Sequence, residues 1–289
     1  MTQRAVFAAA ILLGMLTLRV DAAGLLVQAP TAIVAINLFG SDDRRPVETG
    51  SSEDAALSAV GVLARDGRAE ATGFLLGARD VVVTTAHSFY DHGRFKSGRY
   101  AFLPAGEAVE AVDIARSDIV AVGTRYPRRE PWRDWAIVRL PAPVAARFRP
   151  LVHQLLANNL IATGERSVEL VAYHRDRIEA DHWPIRYVSE PCTLRIKAPG
   201  DHFADIADID LHDCDFDVIS SGGPLLVRHG DDYAVIGINA GFFTPYPHSK
   251  PARLLAFGQF DGRLNPHYAV RFGAGLTDAL ERVLGGRLL

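Results

Sequence analysis

Short apolar runs, each followed by turn-forming or charged residues, fill the chain from about Ala55 onwards. Most are of strand length, and Val, Ile, Leu and Tyr dominate them, which is typical of β-strands. Gly, Pro, Asp and Arg separate one run from the next. Many short strands with few helical patterns predict an all-β fold of the sandwich or barrel type. The runs include LSAVGVL, ATGFLLG, DVVVTTA, DIVAVG, WAIVRL, SVELVAY, GPLLV and YAVIGINAGF.

One segment near the C-terminus has helical spacing instead. In Leu276–Gly285 (LTDALERVLG) the apolar residues recur every three or four positions. Thr277 is a candidate N-cap, and Gly285 is a suitable residue to end the helix. The pattern predicts a short C-terminal helix.

The first residues have the pattern of a secretory signal. Arg4 precedes an apolar run, Ala5–Leu18, and small residues follow it at Val20–Ala22. The run is too short and wrongly flanked for a membrane anchor. We therefore expect residues 1–22 to be removed and the mature protein to be secreted or periplasmic, without a stable membrane anchor. The alternative is a short buried N-terminal helix.

Composition narrows the class of partner. A chain of 289 residues with 48% hydrophobic and 22% charged residues is typical of a folded globular protein large enough for two packed domains. Its net charge of −3 provides no basic field that would attract nucleic acid. We expect no nucleic-acid partner.

Three segments carry residues suited to hydrolytic chemistry. His87 ends the apolar run VVVTTAH, Asp134 begins DWAIVRL, and Ser221 precedes two glycines in ISSGGPLL. A serine hydroxyl becomes a nucleophile when an imidazole takes its proton and a carboxylate orients that imidazole. We interpret His87 as general base, Asp134 as orienting carboxylate and Ser221 as nucleophile. Ser220 is the weaker candidate because no glycine follows it.

At these residues the chain resembles the trypsin-like (chymotrypsin-fold) serine peptidases, and most closely their bacterial glutamyl-endopeptidase-like branch. The matching segments are Thr84–His87, Asp134–Leu140 and Ser220–Pro224, supported by Ala71–Gly77 and Val235–Asn239. The resemblance extends from about Asp42 to the C-terminus.

This resemblance implies two antiparallel six-stranded β-barrels with the active site in the cleft between them. Residues 23–54 would form an N-terminal arm, residues 55–145 the first barrel with His87 and Asp134, and residues 146–289 the second barrel with Ser221. PAPVAARFRP (Pro141–Pro150) is the expected connection between the barrels. The resemblance implies an endopeptidase that acts on protein or peptide substrates without a cofactor.

The most serious departure from the resemblance is at Ile219. The family's oxyanion hole consists of the backbone N–H groups that correspond to Ile219 and Ser221, and the first position is usually glycine. A β-branched residue is unsuited to the conformation required there. Either the peptide is shifted, or the hole is misformed in the resting protein. The second case favours an alternative function, a catalytically silent relative that binds a peptide or protein in the same cleft.

The expected substrate-binding residues indicate different specificities. Asp215 matches the position at the base of the primary pocket in trypsin, which favours basic P1 residues; a small or apolar P1 residue is the alternative. Asn239 replaces the histidine of the glutamyl-endopeptidase branch, which predicts poor cleavage after Glu. Asn239, Ala240 and Gly241 would pair with an extended substrate as an added strand. Ala240 also replaces a serine that supports the aspartate in many relatives.

The two cysteines, the acidic run and the dibasic sequence predict structural roles, and none of them predicts a metal site. The chain has two cysteines, Cys192 and Cys214, and an exported protein favours their pairing over two free thiols. The acidic run Asp201–Asp217 lacks the residues of an EF-hand loop, and no Cys/His cluster suggests zinc. Asp42–Pro46 (DDRRP) contains a dibasic pair, but the following proline disfavours cleavage, so we expect a structural arm.

Overall fold

A computed structural model describes residues 36–153, 165–177, 185–230, 232–243 and 255–285. The predicted signal peptide lies outside these residues. In chain order the strands and helices are β1 Ile36–Phe39, β2 Arg44–Pro46, α1 Ser52–Ala56, β3 Val60–Arg65, β4 Arg68–Leu75, β5 Val81–Thr84, β6 Tyr90–Asp91, β7 Arg94–Phe95, β8 Tyr100–Leu103, β9 Val112–Ile114, β10 Ile119–Val122, β11 Ala136–Arg139, β12 Val152–His153, β13 Arg166–Tyr173, β14 Arg186–Arg195, β15 Ile209–His212, β16 Phe216–Asp217, β17 Pro224–His229, β18 Asp232–Phe242, β19 Leu255–Phe257, β20 His267–Arg271 and α2 Ala274–Leu284.

The first half of the chain forms a curved antiparallel sheet. Its strand order is β10-β11-β5-β4-β3-β8-β9, seven strands in all, and β6 and β7 form a separate hairpin. The central strands are buried along almost their whole length, which explains their continuous apolar sequences. At Gly61 of β3 a Cβ would collide with the carbonyl of Leu103 and the ring of Phe102 on the neighbouring strand. Glycine therefore allows β3 and β8 to pack closely.

The second half forms a closed barrel. The order β18-β17-β13-β14-β15-β20 is completed by pairing of β20 with β18, so that six strands surround one core. The residues that connect the two halves, 141–150, contain neither helix nor strand. The predicted all-β architecture with two barrel units is confirmed, but the first unit is an open seven-stranded half-barrel among the described residues. Its end strands, β9 and β10, do not pair with each other.

The N-terminal segment packs against the second half of the molecule. Strand β1 runs antiparallel to β16 and parallel to β19, and β2 runs antiparallel to β14. The DDRRP sequence forms β2 and the two residues before it. Arg44 of this strand is buried, and Arg45 pairs with Glu53 and Glu190. The bond between Arg45 and Pro46 therefore lies inside a paired strand.

The C-terminal helix is present, but it begins earlier than predicted. Helix α2 has Gly273 at its N-cap, and Gly285 ends it in the left-handed conformation, with φ of 63°. Thr277 lies in the first turn, where its N–H donates to the carbonyl of Gly273, so its prediction as N-cap was wrong. No helix among the described residues is long and apolar enough to cross a membrane.

A disulfide joins Cys192 of β14 to Cys214, which follows β15, as predicted. Both cysteines are buried in the smaller of two hydrophobic clusters, in the second barrel. Their separation of 22 residues spans the acidic segment that leads towards Ser221. The bond therefore links the wall of the barrel to the entrance of the serine-containing turn.

Replacing both cysteines by alanine should destabilise the protein by about 3 kcal/mol, because a loop of this length is then released in the unfolded chain. Denaturant unfolding of the oxidised wild type and of the double variant measures this difference. The reduced wild type is the matched control and should resemble the double variant. Equal midpoints for the oxidised wild type and the double variant would contradict the stabilising role.

Candidate active site

Strand register brings His87 and Asp134 together. Ala136 of β11 lies opposite Thr84 of β5 in an antiparallel pair. Asp134 comes two residues before Ala136, and His87 comes three residues after Thr84, so both residues leave the pair at the same end. Each sits at a 3₁₀ turn, Ala86–Ser88 or Pro131–Arg133, where the chain turns away from the sheet.

The two side chains form a directed pair. Asp134 Oδ2 lies 2.6 Å from His87 Nδ1, and Asp134 Oδ1 accepts a hydrogen bond of 2.8 Å from the backbone N–H of His87. The Asp134 side chain is 3% exposed and that of His87 is 33% exposed. A buried carboxylate thus holds Nδ1 and leaves Nε2 at the accessible side of the ring, as a general base requires.

Thr72 of β4 connects this pair to the turn that carries Ser221. Its N–H donates to the carbonyl of Ser221 at 2.9 Å, and its hydroxyl donates to the carbonyl of Ile219 at 2.8 Å. The carbonyl of Thr72 accepts a hydrogen bond of 2.7 Å from the hydroxyl of Thr84, on the strand that leads to His87. One buried threonine therefore fixes the serine turn against the strand of the histidine.

Gly222 makes this close approach sterically possible. Its φ is +86°, and a Cβ at this position would collide with the Thr72 carbonyl and the Thr84 hydroxyl. The N–H of Gly222 donates to the carbonyl of Asn239 at 2.7 Å, so the turn is also fixed to β18. The requirement for glycine after the serine is thus met at Ser221. Among the described residues, no hydrogen bond joins His87 Nε2 to Ser221 Oγ.

The turn before Ser221 is a capped 3₁₀ turn, Val218–Ser220. The N–H of Ile219 donates to Asp217 Oδ1 at 2.9 Å, and the N–H of Asp217 donates to Ser220 Oγ at 3.1 Å. The Ile219 side chain is fully buried in the larger hydrophobic cluster, which extends over both halves. The N–H of Ile219 points into the protein interior because it donates to the buried carboxylate of Asp217.

Comparison with solved structures identifies the fold around this site. The chain is similar to a glutamyl endopeptidase solved in complex with MPD, with a TM-score of 0.61 at 13% sequence identity, over 86% of this chain and 99% of the other. The fold is chymotrypsin-like.

Two further structures have the same fold. A thermostable serine protease from an extremophilic microorganism matches with a TM-score of 0.54 at 12% identity, over 80% of this chain and 99% of its own. The protease Anisep from Arthrobacter nicotinovorans matches with a TM-score of 0.56 at 12% identity, over 84% and 99%. No protein-family model matches the sequence, and no curated protein matches it significantly.

Within this chymotrypsin-like fold, Asp215 is buried against the N-terminal segment. Its carboxylate accepts hydrogen bonds from the N–H groups of Phe39 at 2.8 Å and Asp43 at 3.2 Å. Burial, together with the nearby Asp43 carboxylate, raises the pKa of Asp215 to about 7, against the opposing effect of these N–H donors. The ring of Phe39 packs at 4.4 Å from the ring of His267, next to this carboxylate. Asp215 therefore faces strand β1 and the residues after it.

The other predicted substrate-binding residues lie on β18 beside the serine turn. Asn239 is fully buried, and its Nδ2 donates to the carbonyl of Ser220 at 3.1 Å. Its backbone N–H donates to the carbonyl of Gly223, so Asn239 supports the turn through both its side chain and its backbone. Ala240 is buried, and Gly241 is half-buried at a bulge where β18 meets β20. Near this bulge, burial and the charge of Asp134 raise the pKa of Tyr268 above its ordinary value.

Asp217 is surrounded by hydrogen-bond donors. Besides Ile219, the backbone N–H groups of Arg175 and of Asp176 donate to its Oδ2, the latter at 3.2 Å. Burial and the charge of Asp176 raise the pKa of Asp217 to about 7, although the three N–H donors oppose this shift. Asp217 thus couples the serine turn to the turn that follows β13.

His174, Asp176 and Asp217 lie close enough together to be considered as metal ligands. The guanidinium of Arg44 lies among them: it donates to both oxygens of Asp176, at 3.0 and 2.8 Å, and lies 3.1 Å from His174 Nδ1. Arginine can only donate, so His174 Nδ1 accepts, and burial and Arg44 lower the pKa of His174 well below its ordinary value. A cation already fills this cluster, so its residues do not fit a metal ion.

Sequence reasoning missed Thr72, Asp217, His174 and Arg44 as parts of this site. Only Asp217 had a local signal, because Asp-Val-Ile-Ser is the pattern of a capped turn. Thr72 lies within a segment that supported the resemblance, but its hydrogen bonds to Ile219 and Ser221 cross 147 and 149 positions of the chain. No local pattern indicates contacts of that range.

Asp215→Asn should flatten the pH dependence of stability between about pH 4 and pH 7. The pKa of Asp215 is raised to about 7 in the folded protein from its ordinary value of 3.8, which applies to the unfolded chain. The wild type therefore loses stability as the pH rises through this interval. The asparagine variant lacks this loss, which is on the order of 4 kcal/mol. Chemical denaturation of both proteins across the interval compares the slopes, whatever their absolute stabilities. Parallel profiles would contradict the shift.

Proposed function

We propose that this protein is a serine endopeptidase that cleaves peptide bonds through an acyl-enzyme. The observation that carries the proposal is the pair of buried Asp134 and half-buried His87, joined through Thr72 to the turn that presents Ser221. A carboxylate, an imidazole and a hydroxyl in this order are the groups that activated-serine chemistry requires. The proposal agrees with the fold, which is that of the serine proteases in the comparison.

In this mechanism His87 Nε2 takes the proton of Ser221 Oγ as the oxygen attacks the substrate carbonyl. Asp134 accepts from Nδ1–H and stabilises the imidazolium, which then gives its proton to the leaving amine. Water then attacks the acyl carbon while His87 takes one of its protons, and His87 returns that proton to Ser221 Oγ as the acid product leaves. The N–H groups of Ser221 and Ile219 would bind the oxyanion. The N–H of Ile219 can do so only after the peptide between Val218 and Ile219 rotates and breaks its hydrogen bond to Asp217.

The substrate is expected to be an extended peptide or protein segment. The strand around Asn239–Gly241 would pair with it, because β18 lies beside the serine turn. We further propose an uncharged P1 residue. The carboxylate of Asp215 already accepts hydrogen bonds from the backbone N–H groups of Phe39 and Asp43. The neighbouring side chains of Phe216 and Phe242 are apolar.

We also propose that the protein is exported. The apolar N-terminal segment with small residues at Val20–Ala22 supports a secretory signal, and the disulfide suits an oxidising compartment.

A catalytically silent peptide-binding protein is the second candidate. The hydrogen bond from Ile219 N–H to Asp217 favours it, because this donor is withheld from the position of the oxyanion. Two well-aimed donors normally serve this position, and loss of one reduces turnover by roughly a hundredfold to a thousandfold. The candidates differ in whether Ser221 reacts covalently.

Ser221→Ala should abolish covalent labelling by a fluorophosphonate and hydrolysis of a generic protein substrate such as casein. Ser117→Ala, which changes an exposed serine far along the chain, is the matched control and should label and hydrolyse like wild type. Mass spectrometry of the labelled peptide identifies the modified residue. Absence of labelling in every protein, with binding of peptides retained, would favour the silent candidate.

A peptide library varied at P1 should show cleavage after uncharged residues, favoured roughly tenfold or more over Arg, Lys and Glu. The physical reason is that Asp215 is already paired with backbone N–H groups and Asn239 has no charge. Asp215→Asn should leave the P1 profile unchanged. Selective cleavage after Arg or Lys that disappears in this variant would contradict the proposed preference.

A further inference from the structure

We infer that the turn Asp217–Ser220 is an intramolecular latch that keeps the oxyanion hole closed in the resting protein and limits its turnover. This inference rests on the proposed function and concerns the regulation of the same site. The latch consists of the Asp217 carboxylate and the N–H of Ile219, and it opens when the peptide between Val218 and Ile219 turns its N–H towards the cleft.

Two reciprocal hydrogen bonds hold the latch closed. Asp217 Oδ1 accepts from the N–H of Ile219, while Ser220 Oγ accepts from the N–H of Asp217. These reciprocal bonds form the arrangement that stabilises the first turn of a helix. The withheld N–H belongs to the position expected to bind the oxyanion. Opening the latch therefore exchanges a bond to a buried carboxylate for one to the reacting carbonyl.

The carboxylate of Asp217 cannot follow the peptide when it turns. Its other oxygen accepts from the N–H groups of Arg175 and Asp176. Asp176 is itself bound at both oxygens by Arg44 of the N-terminal segment. Strand β2, which carries Arg44, pairs with β14. The N-terminal segment thus fixes the acceptor side of the latch to the second barrel.

The side chain of Ile219 adds a second barrier. It is fully buried, and its backbone is helical, outside the left-handed region. Left-handed conformations are disfavoured for β-branched residues and accessible to glycine. Val218 is 39% exposed, so its side chain can move as the peptide turns, whereas Ile219 has to keep its place in the core. Isoleucine therefore favours the closed form.

Ile219→Gly is the direct test, and Ile219→Ala is its matched control. Both variants remove the packing contacts that Ile219 makes beyond its Cβ, but only glycine gains free access to the open conformation. Steady-state hydrolysis of a peptide p-nitroanilide at one mildly alkaline pH gives kcat and KM. We expect kcat to rise at least about tenfold in the glycine variant with little change in KM, and not in the alanine variant.

If Ile219 had only a structural role, kcat would fall in these variants and not rise. Loss of a buried side chain lowers the thermal midpoint in both variants, and a structural residue would lower kcat together with it. Higher kcat at lower stability therefore identifies a latch. If the glycine and alanine variants have equal kcat, the latch is overturned, whatever the activity of wild type.

Asp217→Asn is the second variant and decides the question if the glycine variant does not fold, as judged by circular dichroism. It conserves shape but replaces the charged acceptor by a weaker, neutral one. We expect a higher kcat and faster fluorophosphonate labelling than in wild type. An unchanged or lower kcat in this folded variant overturns the latch.

Labelling separates this inference from the proposed function. Labelling of Ser221 in wild type without a gain in Ile219→Gly or Asp217→Asn overturns the latch and leaves the endopeptidase intact. Labelling in the latch variants that disappears when Ser221→Ala is added supports both. Absence of labelling in wild type and in both latch variants overturns both.

Discussion

Two hydrogen bonds from Thr72 determine where the serine turn lies relative to His87. Its N–H and its hydroxyl bind successive parts of the turn, the carbonyls of Ser221 and Ile219, and its carbonyl binds Thr84. All these groups are buried, so breaking any bond would leave a polar atom without water or partner. The two halves of the chain are therefore joined where the turn that carries Ser221 lies against the strand that leads to His87.

Around this contact the second barrel and the N-terminal segment contain several buried ionisable side chains. Asp215, Asp217 and Arg44 are all buried, and each is satisfied by backbone N–H groups or by an opposite charge. Burial raises the pKa of both aspartates to about 7 and lowers that of the buried His212 to about 4. Such a network stabilises one arrangement only when all its members are paired. This explains why the N-terminal segment is built into the barrel.

The same network connects the two candidate functions. The endopeptidase requires the N–H of Ile219 in the cleft, and the silent binding protein leaves it on Asp217. The remaining candidate machinery, His87 with Asp134 beside the Ser221 turn, is common to both. The choice between them thus reduces to the conformation of one peptide bond, whose acceptor is fixed through Asp176 by Arg44.

The sequence by itself determined the strand-rich architecture, the C-terminal helix, the pairing of Cys192 with Cys214 and the segments around His87, Asp134 and Ser221. The strands, the helix and the three segments depend on local patterns: apolar runs, turn residues and short motifs that persist whatever the chain packs against. The pairing of the cysteines follows from there being two of them in a chain expected to be exported. The approach of His87 to Asp134 also follows once β5 and β11 are paired.

Only the tertiary structure decided the direction of the Ile219 N–H, the burial of Asp215 under the N-terminal segment and the linking role of Thr72. Each depends on hydrogen bonds between residues far apart in the chain, or on the orientation of a single peptide. Sequence position placed Asp215 where a pocket carboxylate belongs, but the backbone N–H groups of Phe39 and Asp43 satisfy that carboxylate in the fold. Every residue except proline carries a backbone N–H, so residue type does not indicate which of these groups will reach a distant acceptor.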